Sequence, residues 1–249
     1  IYLSGGRIGF SERDQVYALV YSGGAPSGCW REVGRLPVAL ARHAMAASGG
    51  YLFVSGGIAD AGGNALDTVY RAQVGADGSL GPWAELAENQ LPKFLYSHAM
   101  VAAGEQMFVL GGRQPFSLVA EPRVYQARVG AGGSLGEWHE LSQLALPQAL
   151  SNLAALATDQ QLLVLGGDNG GLLSDAVYRA AFYQGARQAE FLHQFDLGAD
   201  QDIGELSWLA RGDPAAALRV RFRVAPGATA RFGAWSDPFA SSPAPIYER

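Results

Sequence analysis

The sequence predicts an all-β fold in which four related units stack side by side, as the blades of a β-propeller do. The strongest sign is a Gly-Gly pair whose second glycine recurs every 51 to 55 residues, at Gly6, Gly57, Gly112 and Gly167. The 249 residues also include 33 glycines and 12 prolines, which suit tight turns better than long helices. Short runs of strand character between the glycine pairs complete the pattern.

Other residues repeat in step with the glycine pairs. Each unit has a tyrosine after the pair, three units have a tryptophan further on, and three have a Leu-Pro step, at Leu36, Leu91 and Leu146. We interpret the repeated positions as the structural frame of a blade: Gly5, Gly6, Tyr17, Trp30, Gly56, Gly57, Tyr70, Trp83, Gly111, Gly112, Tyr125, Trp138, Gly166, Gly167 and Tyr178.

Four runs in each unit have strand character. In the third unit, residues 97–103 are small and apolar, and residues 107–110 form a buried run that Gly111-Gly112 ends. Residues 123–129 and 137–141 alternate between apolar and polar side chains. The pattern predicts one four-stranded blade per unit, with the small residues in the innermost strand.

The links between predicted strands differ in length. First-to-second and third-to-fourth links are short and rich in glycine, as in β-hairpins. Second-to-third links are long, at 58–66, 113–123 and 168–175, and so are the links between blades. Both long sets emerge on one face of an up-and-down blade, where binding residues usually lie. The candidate ligand-binding residues are Asp60, Asn64, Arg113, Glu121, Asp168 and Asn169.

Composition excludes several functions. The net charge is −5, and no run of Lys or Arg predicts contact with nucleic acid or an anionic membrane. No apolar segment is long enough to span a bilayer as a helix. The single cysteine, Cys29, cannot form an internal disulfide, and we interpret it as a small apolar filler beside Trp30.

The residues that could perform catalysis have simpler structural interpretations. His43 and His98 occupy equivalent positions at the start of two innermost strands, but the third such position is Leu153, which favours buried structural histidines. His139 and His193 are expected at the surface. No Gly-x-Ser-x-Gly turn or other nucleophile and base pair is present.

Two oxygen-rich segments resemble calcium loops only in composition. They are Asp168-Asn169-Gly170-Gly171 with Asp175, and Asp200 with Asp202, and neither has the spacing of a known calcium loop. We interpret both as turns, and we predict no metal or cofactor site. Arg219, Arg221 and Arg223 form a basic stripe that alternation on an exposed strand explains.

The double glycine, the tyrosine and the tryptophan at these spacings resemble the kelch-type repeats of β-propellers, including the central domain of the galactose oxidase family. The resemblance implies that the repeated residues are structural. It covers about residues 1–195, within a propeller domain expected at 1–198, and predicts three full blades, at 42–86, 97–141 and 152–195, after a first unit without its innermost strand. The fourth unit departs from the pattern, because Phe191 to Phe195 stand where a tryptophan is expected.

Residues 199–249 do not fit the repeat. Their alternating segments are similar to the opening half of the β-sandwich modules that follow propellers in bacterial surface and secreted proteins. Because the sequence starts within a repeat and stops within this module, we expect an incomplete ring and a longer natural protein, whose signal peptide would not be visible here.

The function predicted from these features is that of a non-catalytic binding or scaffold protein. It would act at a bacterial cell surface or in the periplasm and contact protein or glycan through its long loops. One alternative is a carbohydrate-active enzyme similar to the sialic-acid mutarotases, with Arg42, Arg113 and Glu121 as polar residues, or to the copper oxidases, whose Tyr-Cys cross-link Cys29 does not supply. Another is a structural subunit of a larger assembly. Innermost strands with only small apolar side chains would count against an enzyme.

Overall fold

The structure of the chain is a computed structural model, and it describes residues 1–22, 25–59, 63–117, 119–158, 160–182, 205–206 and 244–245. Backbone contacts divide the chain into two compact units, Ile1–Gly185 and Ala186–Arg249. The first unit contains the propeller blades. In the second, a strand at Glu205–Leu206 pairs antiparallel with one at Ala244–Pro245.

The second and third blades are complete four-stranded antiparallel sheets whose strands follow one another in chain order. The second blade consists of β5 (Ala44–Ser48), β6 (Tyr51–Ser55), β7 (Val69–Gln73) and β8 (Ala84–Glu85). The third consists of β9 (Ala99–Ala103), β10 (Gln106–Leu110), β11 (Val124–Arg128) and β12 (His139–Glu140). Two short 3-10 helices accompany it, at Ala131–Gly133 and Ser142–Leu144.

The first and fourth blades have the same order with local differences. The first contains β1 (Tyr2–Ser4), the two-residue β2 (Arg7–Ile8), and a long hairpin of β3 (Ser11–Ser22) and β4 (Ala25–Leu40). The fourth contains β13 (Ala154–Ala157), β14 (Gln161–Leu165) and β17 (Val177–Ala181), with a small hairpin of β15 (Asp168–Asn169) and β16 (Leu172–Leu173). Its expected outer strand, residues 191–195, lies outside the described residues.

The fold class predicted from the sequence, an all-β propeller, is confirmed. The four runs predicted in the third unit correspond to β9 through β12, with ends that differ by one or two residues. Within the long link at 168–175, β15 and β16 form a hairpin around Gly170-Gly171. The positive φ angles of these two glycines, 63° and 94°, fit the tight turn of such a hairpin.

The hydrophobic core lies between the blades. Phe53 of β6 and Val69 of β7 pack with Met107 and Val109 of β10, so two neighbouring sheets share one cluster. A second cluster joins Phe108 of β10 to residues of the fourth blade. Each blade is therefore stabilised by the sheets on either side of it, as expected for a stacked repeat.

One backbone hydrogen bond recurs at each of the three blade interfaces. The second glycine of a pair donates its N–H to the carbonyl of a fully buried leucine that lies shortly before the innermost strand of the next blade, over 2.8 Å or 2.9 Å. The bonds join Gly6 to Leu40, Gly57 to Leu95, and Gly112 to Leu150. A Cβ atom on the first glycine of the pair would clash with the same carbonyl, as at Gly56 with Leu95. The close approach of the two backbones explains the absence of a side chain.

The interpretation of Cys29 as a core filler is wrong, because the residue is exposed. Cys29 lies in the outer part of the β3–β4 hairpin, whereas the core side chains of this blade, Val16, Leu36 and Leu40, lie nearer its base. Trp30 beside it is also 46% exposed.

Several sequence interpretations fall outside the described residues. They concern the domain boundary at residue 198, His193, Asp200 and Asp202, the stripe of Arg219, Arg221 and Arg223, and most of the segment from 199 to 249.

Candidate functional site

The long loops of all four blades are closed at their base by the same backbone hydrogen bond. In each blade the carbonyl of the second glycine of the pair accepts an N–H from the residue that ends the loop, over 2.8 Å to 2.9 Å. The donors are Arg13, Leu66, Glu121 and Ser174. Loops of different sequence therefore begin and end on the same backbone arrangement. Variable loops on such a scaffold are where binding residues usually lie.

Three equivalent residues in the left-handed conformation stand at the start of the innermost strands. Arg42, Ser97 and Asn152 have φ angles of 57°, 54° and 53°. Ser97 donates its N–H to the carbonyl of Arg42 over 2.8 Å, and Asn152 donates to the carbonyl of Ser97 over 2.8 Å. These bonds run from blade to blade, so the three residues form an arc at the long-loop end of the inner strands.

An ion pair joins the loops of the third and fourth blades. The Arg113 guanidinium, which directly follows Gly112, contacts the Asp168 carboxylate, which directly follows Gly167. Asn152 donates its side-chain amide to the other Asp168 oxygen over 2.6 Å, and the Ser151 hydroxyl lies 3.3 Å from that oxygen. The Asn152 hydrogen bond, and then the positive charge of Arg113, hold the pKa of Asp168 below its usual value.

A second carboxylate, Glu121, lies in the loop of the third blade and is only 8% exposed. It contacts the Arg123 guanidinium and the Gln114 amide, and the Lys93 ammonium is 3.6 Å away. Lys93 comes from the link between the second and third blades, so this group ties two loops together. We name Lys93, Arg113, Glu121, Arg123, Asn152 and Asp168 the polar cluster.

Four of the six predicted binding residues belong to this neighbourhood. Arg113, Glu121 and Asp168 are members of the polar cluster, and the Asn169 side-chain oxygen accepts a hydrogen bond from the backbone of Ala120 over 3.4 Å. Asn64 lies apart, in the exposed loop of the second blade, where its carbonyl accepts from Ala59 N–H over 3.4 Å. Asp60 lies outside the described residues.

Sequence reasoning missed three members of the polar cluster. Lys93, Arg123 and Asn152 did not stand out because none is part of a motif. For Asn152 a signal existed: it follows Arg42 and Ser97 at the repeat spacing of 55 residues, which would have placed it at the start of an innermost strand.

The innermost strands themselves carry little chemistry. β5, β9 and β13 consist of alanine, methionine, valine and leucine, with Ser48 as their one polar residue. Among the described residues, no group of three or more His, Cys, Asp or Glu side chains could hold a metal ion. The hydrogen-bonding groups lie instead at the loop ends of these strands.

His43 and His98 lie at the interfaces between blades, where each ring contacts a serine of the preceding blade. His98 Nε2 lies 2.9 Å from the Ser55 hydroxyl of the preceding blade, and His43 Nε2 lies 2.8 Å from that of Ser4. Burial lowers the pKa of His43 to about 4 and that of His98 to about 3, so both rings are neutral at pH 7. Their positions serve packing and do not supply a general base for the polar cluster.

Comparison with known proteins supports the fold alone. No protein-family model and no curated protein matches the chain. Among solved structures, the β-propeller described as "Structure of YjhT" is similar, with a TM-score of 0.50 and 16% identity over 68% of this chain. The match covers 52% of the YjhT chain, so this chain spans about half the length of that structure. The described residues contain no helix with the length and hydrophobicity needed to span a membrane.

Proposed function

We propose that this chain is part of a kelch-type propeller that acts as a non-catalytic binding protein and contacts its partner through the long-loop face. The observation that carries the proposal is the polar cluster, which is assembled from the loops of consecutive blades and brings three ion pairs together on that face. The small apolar side chains of the innermost strands add no reacting groups beside it.

The geometry of the loops favours binding. Each loop is closed by a backbone hydrogen bond at its base, and the loops of the third and fourth blades are joined by the Arg113–Asp168 ion pair. A surface held in this way loses little conformational entropy when a partner binds, which improves affinity. On the sequence resemblance alone, we extend the proposal to a protein of the bacterial cell surface or periplasm.

Binding to a glycan or peptide tests the proposal directly. The purified chain would be presented to an array of neutral and acidic oligosaccharides and to a display library of random peptides. We expect selective retention of members of one set, and loss of that retention in Arg113→Ala and Asp168→Ala. The matched control is Arg128→Ala, because Arg128 is ion-paired to Glu105 on an exposed surface outside the polar cluster. Equal retention by all four proteins would contradict the proposal.

The main alternative is a carbohydrate-active enzyme, for which Arg42, Arg113 and Glu121 would be the polar groups. It predicts chemical turnover as well as binding. Nuclear magnetic resonance of reducing sugars mixed with the protein measures the rate at which their anomers exchange. The binding proposal predicts no acceleration, whereas an acceleration that Arg113→Ala abolishes would establish an enzyme. A structural subunit would show neither behaviour and would instead bury this face in a stable assembly.

A further inference from the structure

The long-loop face of the third and fourth blades also carries a group of exposed apolar side chains. Phe116 and Val119 lie in the loop of the third blade and are 95% and 60% exposed. Leu172 and Leu173 form β16 in the fourth blade and are 72% and 88% exposed. Phe94, in the link between the second and third blades, is 51% exposed. We name these five residues the apolar loop cluster.

Members of the apolar loop cluster lie close along the chain to members of the polar cluster. Phe94 follows Lys93, whose ammonium is near Glu121. Phe116 and Val119 belong to the loop that runs from Arg113 to Glu121, and Leu172 pairs across its hairpin with Asn169. The same loops therefore carry both exposed apolar side chains and ion-paired groups.

Backbone pairing closes the base of two of these loops. Leu172 and Leu173 stand on a two-stranded hairpin, and the loop of Phe116 is held by an antiparallel bridge between Arg113 and Ala120. Phe116 has a φ angle of 59°, a conformation that costs about 1 kcal/mol or more for a residue other than glycine. An exposed phenylalanine held in this conformation contributes nothing to the core of the chain, and such strain is typical of binding sites.

The charges of this surface distinguish between partners. Lys93, Arg113 and Arg123 are already neutralised by three carboxylates, those of Glu121, Glu140 and Asp168, so they leave little positive field to attract an anionic lipid surface. Arg42 is different, since among the ion pairs of the described residues it has none. Its guanidinium lies 5.8 Å from the centre of the Tyr96 ring, and the backbone of Tyr96 is hydrogen-bonded to that of Arg113. A carboxylate is the group that would complement Arg42.

We propose that the long-loop face binds a protein segment that presents aromatic or aliphatic side chains to the apolar loop cluster and an aspartate or glutamate to Arg42. This inference rests on the proposed binding function and narrows its partner from protein or glycan to an apolar, acidic protein segment. Aromatic side chains and arginine are enriched in protein interfaces and dominate their binding energy, which is the composition found here.

The test is selection of random dodecapeptides displayed on phage against the purified chain, followed by affinity measurement with the synthetic peptides that are enriched. We expect enriched peptides to contain apolar residues with Asp or Glu. Phe116→Ser and Leu173→Ser should each weaken their binding by about tenfold or more. Arg42→Gln should weaken acidic peptides but not their amide analogues. Val20→Ser is the matched control, because Val20 is 47% exposed in the first blade, outside the apolar loop cluster.

Each other outcome overturns the inference in a distinguishable way. Peptide binding that Phe116→Ser and Leu173→Ser leave unchanged but Arg113→Ala abolishes would support the proposed binding function. It would contradict the inference that the partner is apolar. Peptide binding that none of these substitutions changes would contradict both the proposed binding function and the inference about the partner. Absence of any enriched peptide would contradict the inference. Binding to vesicles of phosphatidylcholine and phosphatidylserine that Phe116→Ser abolishes would assign the surface to a membrane instead.

Discussion

Ser55 and His98 form a hydrogen bond of 2.9 Å across the interface between the second and third blades, and both side chains are buried. Ser4 and His43 repeat the arrangement one interface earlier. At the following interface the equivalent residues are Leu110 and Leu153, which belong to one apolar cluster. The chain therefore contains two solutions to the same packing problem, one polar and one apolar.

This substitution within the repeat predicts that Ser55 and His98 can be exchanged only together. His98→Leu alone leaves the buried Ser55 hydroxyl without its partner and should lower the free energy of unfolding by about 1–3 kcal/mol. The double variant Ser55→Leu with His98→Leu should recover most of that loss, since the third interface already accommodates two leucines. Urea unfolding of both variants measures the difference, and a double variant less stable than His98→Leu would show that the interfaces are not equivalent.

The buried histidines predict a loss of stability in mild acid. Burial lowers the pKa of His98 to about 3 and that of His43 to about 4, below the value near 6.5 expected in the unfolded chain. The unfolded state therefore binds more protons. The stabilising contribution is complete above about pH 6.5 and decreases as the pH falls from there towards the folded pKa values.

Thermal unfolding between pH 8 and pH 4 measures this dependence. The double variant at Ser55 and His98 removes one of the two histidines, so its unfolding temperature should fall less steeply with acid. An identical slope in the variant and the wild type would mean that His98 is already protonated in the folded protein or that other groups control the acid response.

The Gly-Gly pair predicts a penalty that exceeds backbone strain. Gly111 has a φ angle of 62°, and a Cβ atom there would clash with the carbonyl of Leu150, in the link that leads to the fourth blade. Gly9 has nearly the same φ angle, 61°, but open space around its Cβ position. Gly9→Ala should cost about 1 kcal/mol for strain alone, whereas Gly111→Ala should cost several times more because the blades must move apart. If chemical denaturation shows that Gly9→Ala and Gly111→Ala lower the free energy of unfolding equally, the close contact between blades does not explain the glycine pair.

The Arg113–Asp168 ion pair predicts energetic coupling between the loops of the third and fourth blades. Both side chains are largely buried, at 20% and 13% exposure, so solvent screens the pair less than a surface pair. A double-mutant cycle with Arg113→Ala and Asp168→Ala should give a coupling energy of about 1 kcal/mol or more. The exposed Arg128–Glu105 pair, treated in the same way, should give a smaller value. Coupling no larger than that of the exposed pair would show that the loops are independent.

The repeat made the blades predictable, because a glycine pair, a tyrosine and a tryptophan at fixed spacing each record a backbone or packing constraint. The pairing of Ser55 with His98 was not predicted. Its two residues lie 43 positions apart on different blades, and their contact depends on how the sheets stack. The exchange of Ser and His for Leu110 and Leu153 was nevertheless visible in the sequence.

The candidate site was predictable only in part. Loop length identified Arg113, Glu121 and Asp168, since long links on a rigid frame tend to carry binding groups. Lys93 and Asn152 reach the same place from other links of the chain, and no local pattern reveals such side-chain convergence. Cys29 was misjudged because its hairpin extends beyond the core, which the repeat did not indicate.

The central claim is that the repeated residues hold the blades together while the variable loops bind the partner. A deep mutational scan of the displayed chain, scored for the amount of folded protein and for retention of the selected glycan or peptide, tests this claim most directly. We predict that substitutions at the glycine pairs and at Leu40, Leu95 and Leu150 reduce the amount of folded protein. Substitutions at 113–123 and 168–175 should change retention while folding is preserved. Loops as sensitive in folding as the glycine pairs, or retention that follows only the amount of folded protein, would contradict the claim.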